Sequence, residues 1–314
     1  MGKTGILLVG FGGPRCLSEV APMLERVMGT TVPPPVVEAA RAKYQLIGGK
    51  SPNVEIAEAI CVDLRTALSA DKAVECVQSI EVGMCFTEPL LEDSVQRLIN
   101  AGCNRIIYLS MTAYESWAAW QGPYLRVMGI AAKLGVTDVV RAPVFGEHCS
   151  YLTAHADMIY KTLAWVDAAD EDRLIFVAHS LPVDDPSEMA QRYEQQLNTA
   201  IDSITSELRE AWNPEIARGA LGYVSVGARG GKWLDPTLKE LIQKAAADNA
   251  RSVFVCPLGF ATDHMEVLYD LDIAAAEEAK VLELQFMRTP TLASIDKVHP
   301  ALIDAMMGSL KSLC

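Results

Sequence analysis

Short unbroken apolar runs recur along the chain. Each is followed by glycine, proline or a polar residue, and then by a segment whose apolar positions repeat at helical spacing. In the first half, Gly5–Val9 (GILLV), Glu75–Met84, Arg105–Ser110 (RIIYLS) and Asp138–Ala142 predict strands. Helices are predicted between and around them, over Ser18–Met28, Val36–Leu46, Asn53–Leu68, Glu92–Ala101 and Gly122–Leu134. A helix over Tyr151–Ala164 leads to the acidic segment Asp167–Asp172, and there the pattern restarts. Arg173–Ala178 (RLIFVA), Ala220–Val226, the run Val253–Leu258 and Val281–Gln285 predict four more strands. Their helices are expected over Ser187–Trp212, Leu234–Asp248, from His264 onward, and over a closing Pro300–Leu313. Continuous apolar strands separated by helices are those of parallel sheets buried on both faces. The chain is therefore expected to be α/β, with two doubly wound four-stranded parallel sheets and a cleft between them. The first domain is expected to take 1–149 with 295–314, and the second 150–294. Thr30–Pro35 is too proline-rich to be read as regular structure.

The densest chemistry lies in Ser252–Asp272, SVFVCPLGFATDHMEVLYDLD. Gly259 breaks its apolar run, and Thr262 or Asp263 is a suitable cap for a helix starting at His264. Glu266 and Asp270, four apart, share one helix face. His179 follows RLIFVA in the same way. In a parallel sheet both strand ends lie on one edge, so His179 and Glu266 can meet despite their separation in sequence. An imidazole and a carboxylate there suit a divalent metal or proton transfer. The same residues also serve as cap, dipole complement and gap filler. The stripe Trp117, Trp120, Tyr124, with Tyr114 before it, reads either as core or as the wall of a site for a flat apolar ligand.

The formal charge of −13 over 314 residues argues against a nucleic-acid surface. No apolar run reaches the length that spans a bilayer. The eight cysteines form no CxxC or similar cluster, which is the pattern of scattered reduced thiols in a cytoplasmic protein. GFGGP at 10–14 is not a dinucleotide fingerprint, and HExxH, GxSxG and P-loop motifs are absent from the sequence.

LLVGFGGP (7–14), YQLIGGKSP (44–52), FVAHSLP (176–182), WLDP (233–236) and CPLGFATDHMEVLYDLD (256–272) together resemble the ferrochelatases, in that family's order and across nearly the whole chain. The resemblance implies the chelatase fold of two Rossmann-like domains and insertion of Fe²⁺ into a porphyrin, a terminal step of haem biosynthesis. It implies that His179 and Glu266 are the catalytic pair, receiving iron and taking the pyrrole protons. Asp270 would extend the metal path, and Phe11, Tyr44, Ser51 and Tyr114 would lie near the porphyrin. Ferrous iron is then a substrate, and neither a tightly bound cofactor nor a [2Fe–2S] cluster is expected.

Some positions depart from the family. Ala274 stands where many relatives carry a further carboxylate, with Asp272 nearby as a candidate replacement. Phe11 stands where some have a metal-facing tyrosine, and Glu115 where a small hydroxyl residue is usual. Thr30-Thr31-Val32-Pro33 replaces the paired arginines of coproporphyrin-using enzymes, which favours protoporphyrin IX over coproporphyrin III. A chelatase for another tetrapyrrole and a non-catalytic porphyrin- or haem-binding protein are the competing readings. The apolar lip at 28–36 makes peripheral membrane contact a further expectation.

Overall fold

The computed structural model describes residues 3–71, 77–165, 172–183, 188–227 and 231–313. Residues 167–171 of the acidic segment, 228–230 of the turn after the sixth strand, Ser187, Cys76 and Cys314 lie outside them. Two compact units emerge. One comprises Met1–Phe145, Thr262–Met265 and Ala293–Cys314, the other Gly146–Ala261 and Glu266–Leu292. The short segment Thr262–Met265, which the sequence pattern puts in the second domain, thus belongs with the first unit.

In the first unit, strands β1 (Lys3–Gly10), β2 (Val77–Met84), β3 (Cys103–Ser110) and β4 (Asp138–Arg141) form a parallel sheet in the order β2-β1-β3-β4. In the second, β5 (Asp172–His179), β6 (Ala220–Val224), β7 (Ser252–Cys256) and β8 (Gln285–Arg288) repeat that topology as β6-β5-β7-β8. The central strands carry the longest apolar runs. Ile6, Leu7 and Leu8 in β1 and Phe176, Val177 and Ala178 in β5 have no exposed surface. Such burial on both faces is what an inner parallel strand requires.

Helices α1 (Val20–Met28), α2 (Pro34–Leu46), α3 (Asn53–Ala70), α4 (Leu91–Asn100), α5 (Gly122–Lys133) and the closing α10 (Pro300–Lys311) belong to the first unit. Helices α6 (Cys149–Trp165), α7 (Met189–Ala211), α8 (Leu238–Ala247) and α9 (Ala276–Val281) belong to the second. Among the described residues, no helix is long and apolar enough to cross a membrane. Of the described cysteines, Cys61, Cys85, Cys103 and Cys256 are buried free thiols, while Cys16 and Cys149 are exposed.

Four local expectations are corrected. The prolines at 33–35 start a helix, with Pro33 as its N-cap and proline in the first turn, where a missing N–H costs nothing. Ser18 lies within a short 3₁₀ turn, Leu17–Glu19, and does not cap α1. His264 precedes the helix, which opens as a π-helix over Glu266–Ala275. The last strand is Gln285–Arg288, because α9 runs on to Val281 and the chain turns at Glu283 with φ 60°.

Candidate metal and proton-transfer site

The second unit gathers its chemistry beyond the C-terminal end of β5. His179 is the last residue of that strand and keeps about a third of its side chain exposed, with side-chain exposure of 38% against 26% for Glu266. Its Nδ1 lies 2.5 Å from the main-chain carbonyl of Ser180. A carbonyl can only accept, so Nδ1 carries a proton and Nε2 is presented on the other side of the ring. That carbonyl is itself held: Ser180 N–H donates to Val224 O at 2.8 Å and Ser180 Oγ to Leu234 O at 2.8 Å. Such outer contacts fix the tautomer and the aim of a metal-binding imidazole.

Glu266, the first residue of the π-helix, places Oε1 3.4 Å from His179 Nε2. Burial alone would favour the neutral ring. The Glu266 charge and hydrogen bond, the Ser180 carbonyl and the Asp270 charge outweigh it, and His179 is raised above its ordinary value of 6.5. An NMR titration of the His179 ring is expected to give a midpoint above 6.5, and Glu266→Gln a lower one. A midpoint indifferent to that substitution would remove Glu266 as the partner.

Asp270 lies one turn further along. Its Oδ2 accepts from Ser225 Oγ at 3.0 Å, and Ser225 follows β6 with φ 60°, a conformation few non-glycine residues adopt. In the wide π turn, residues four apart stay on one side, so Glu266, Asp270 and Ala274 share a row. Asp272 does not. It is gripped by Arg288 of β8 through Nε–Oδ1 at 2.5 Å and Nη2–Oδ2 at 2.8 Å. A bidentate pair of that kind occupies the carboxylate and makes it a poor substitute for the acid missing at Ala274. Among the described residues, no three His, Cys, Asp or Glu side chains form a ready metal cage. His179 and Glu266 form an open two-donor pair, and Asp270 stands apart from it. An incomplete shell suits a cation that is held briefly and passed on.

In the first unit, the loop after β1 brings Phe11 forward, 44% exposed, with its ring centroid 4.7 Å from that of Phe86. Behind it the chain is tight. Gly13 N–H donates to Thr87 Oγ1 at 3.1 Å, and a Cβ at Gly13 would fall 2.4 Å from Ser51 Cβ and Oγ. Only glycine allows that approach. Ser51 is buried and its N–H donates to Pro14 O at 2.8 Å, so it buttresses the loop. Tyr44 is buried against Val20 and Met23, and Tyr114 is fully buried. Of the four predicted porphyrin contacts, Phe11 alone is exposed.

In the aromatic stripe, Trp120 and Tyr124 face a cation. Arg141 Cζ lies 3.4 Å from the Trp120 ring centroid and 4.8 Å from that of Tyr124, while Trp117 is half exposed. The charge of Glu115 also reaches Arg141, whose pKa burial lowers. The residues that the sequence reading left without a role are Ser180, Ser225 and Arg288. Ser180 alone had a signal, its place in the HSLP motif.

Comparison with known proteins identifies the family and the fold. The ferrochelatase family profile matches residues 3–310. A coproporphyrin III ferrochelatase of Mycolicibacterium smegmatis is 29% identical over 321 residues, covering 100% of this chain and 92% of its own. A ferrochelatase of Geotalea uraniireducens is 29% identical over 328 residues, covering 97% and 96%. Among solved structures, SirB from Bacillus subtilis with Fe³⁺ superposes with a TM-score of 0.59 at 14% identity, covering 99% of this chain and 95% of SirB. That similarity establishes the chelatase fold.

Proposed function

The chain belongs to the ferrochelatase family of metal-inserting enzymes, and from that premise we propose that it inserts Fe²⁺ into protoporphyrin IX, with His179 and Glu266 as the reacting pair. The observation that carries the proposal is the 3.4 Å approach of His179 Nε2 to Glu266 Oε1. Insertion converts a free-base porphyrin and Fe²⁺ into the iron porphyrin and two protons. An arriving dication displaces the proton that the pair shares, and imidazole nitrogen with carboxylate oxygen is a donor set suited to a borderline cation. As iron passes to the macrocycle, the vacated pair accepts the pyrrole protons, one on the imidazole and one on the carboxylate. Asp270, steadied by Ser225, lies on the same row as Glu266 and is proposed to hand iron toward it.

The choice of porphyrin is supported by the cations around α1 and α2. Protoporphyrin IX carries two propionates and coproporphyrin III four, so the latter demands more basic partners. Arg26 already donates to Phe86 O at 3.2 Å, Arg41 to Leu17 O at 3.3 Å and Glu38 at 2.7 Å, and Arg15 to Glu58 at 3.3 Å. Thr30 and Thr31 bring no charge. The relatives include enzymes named for coproporphyrin III, which makes that porphyrin the competing substrate.

Anaerobic Fe²⁺ insertion followed by absorbance, with each porphyrin offered separately, tests the reading. Faster turnover of protoporphyrin IX is expected. Preference for coproporphyrin III would overturn the assignment within the family, and binding of both without turnover would leave a porphyrin-binding protein. Liposomes added to the same assay are expected to capture the protein through Val27, Met28, Val36 and Leu46, all exposed on α1 and α2.

A further inference from the structure

We infer that Arg141 forms a binding site for a carboxylate at the C-terminal edge of the first sheet. Several arginines elsewhere already hold an acid: Arg97, Arg126, Arg218 and Arg288 each meet a carboxylate at 2.5–2.8 Å. Arg141 does not. Among the described residues it makes no ion pair, and its hydrogen bond is from Nη1 to the neutral Oε1 of Gln121. Most of the guanidinium's N–H donors are therefore uncommitted.

The setting of that guanidinium is built nonetheless. It lies 3.4 Å from the centroid of the buried Trp120 ring and 4.8 Å from that of Tyr124. Tyr124 is fixed in turn, its hydroxyl donating to Val139 O at 3.1 Å and its ring meeting Tyr108 edge-on at 5.6 Å. Ser110 Oγ donates to Ala119 O at 3.0 Å, which pins the turn that carries Trp120 and Gln121 to the end of β3. Aromatic faces hold the plane of an arginine without consuming its N–H groups. Burial also strips water from the charge, against which the more distant Glu115 is only a partial counterweight. A fixed, partly desolvated guanidinium with free donors is the partner a planar carboxylate requires.

The place of Arg141 in the sheet points to the source of that carboxylate. Arg141 and Leu7 pair with the same residue, Tyr108, from opposite sides. Arg141 is thus two strand spacings, about 10 Å, from β1, whose continuation carries the exposed Phe11. That span is comparable to the distance from the centre of a porphyrin to its propionate carboxylates. A small free carboxylate offers the same chemistry. The porphyrin source rests on the reaction proposed above, whereas the site itself does not.

Arg141→Met keeps an apolar stem on the Trp120 face and removes the charge. Protoporphyrin IX and its dimethyl ester, in the same detergent, are titrated against both proteins by fluorescence. With a propionate as the ligand, Arg141→Met is expected to weaken binding of the free acid about 10-fold and to leave the ester unchanged. With a small free carboxylate as the ligand, neither porphyrin titration moves, and citrate shifts the Trp120 indole N–H resonance in the wild type but not in the variant. Equal weakening of both porphyrins would make Arg141 a packing residue and overturn the inference, as would unchanged porphyrin binding with no response to citrate. A wild-type protein that binds porphyrin but inserts no iron would overturn the proposed reaction instead, and the acid–ester comparison would still decide the role of Arg141.

Discussion

His179→Ala and Glu266→Ala are each expected to lower the rate of iron insertion by about 100-fold or more, with the fold intact. The magnitude follows from what is removed. In the proposed mechanism each substitution deletes one of two donors to the entering cation and one of two acceptors for the departing protons, and proton-transfer groups alone are worth roughly 10²–10⁴ in rate. The fold should survive, because both side chains are partly exposed and neither packs in the core cluster beneath them, where Val267 and Leu271 face inward from the π-helix. Glu266→Gln keeps the shape and a hydrogen-bonding oxygen but no charge, so it should retain more metal affinity than alanine while losing proton acceptance. Single-turnover insertion at saturating porphyrin separates these effects from substrate binding. If either alanine variant keeps wild-type turnover, the pair is not the reacting centre.

The sheets were readable from sequence because inner parallel strands are apolar on both faces. GILLV, RIIYLS, RLIFVA and SVFVC each became a central strand with scarcely any exposed surface. The meeting of His179 with Glu266 was readable for a related reason, since parallel topology puts every strand's C-terminal end on one edge. The edge strand β8 was not. QFMR is only partly buried, and the residue that stops α9 and turns the chain is Glu283 in a left-handed conformation, where glycine would have given a signal. Nor does EVLYDLDIAA announce a π-helix, since nothing in its composition separates it from an α-helix. Asp272 is close to position 274 in sequence, but residues two apart lie on opposite faces of a helix, and Asp272 faces Arg288. Tyr44, Ser51 and Tyr114 carried family positions but no information about burial.

Gly259→Ala is expected to destabilise the second unit by about 1–3 kcal/mol and to lower activity as well. Gly259 appears in the sequence only as the breaker of an apolar run, but its structural role is close approach. A Cβ there would lie 2.6 Å from Ala178 Cβ and 2.7 Å from Ala178 Cα, and the Gly259 N–H already donates to Val177 O. The obstructing Cα is main chain and cannot swing aside as a flexible side-chain tip could. Relief must come from moving β5 or the segment after β7, and Ala178 immediately precedes His179. Gly129→Ala provides the opposite case. It lies within α5, where an added Cβ meets nothing within 4 Å, so the same substitution is expected to be neutral or to stabilise by about 0.5–1 kcal/mol. Urea denaturation should therefore move in opposite directions for the two variants, or fall for one and stay level for the other. Co²⁺ affinity should fall only for Gly259→Ala. A Gly259→Ala protein with wild-type stability and wild-type metal affinity would mean that the contact yields cheaply, and that the position of His179 does not depend on the strand packing inferred here.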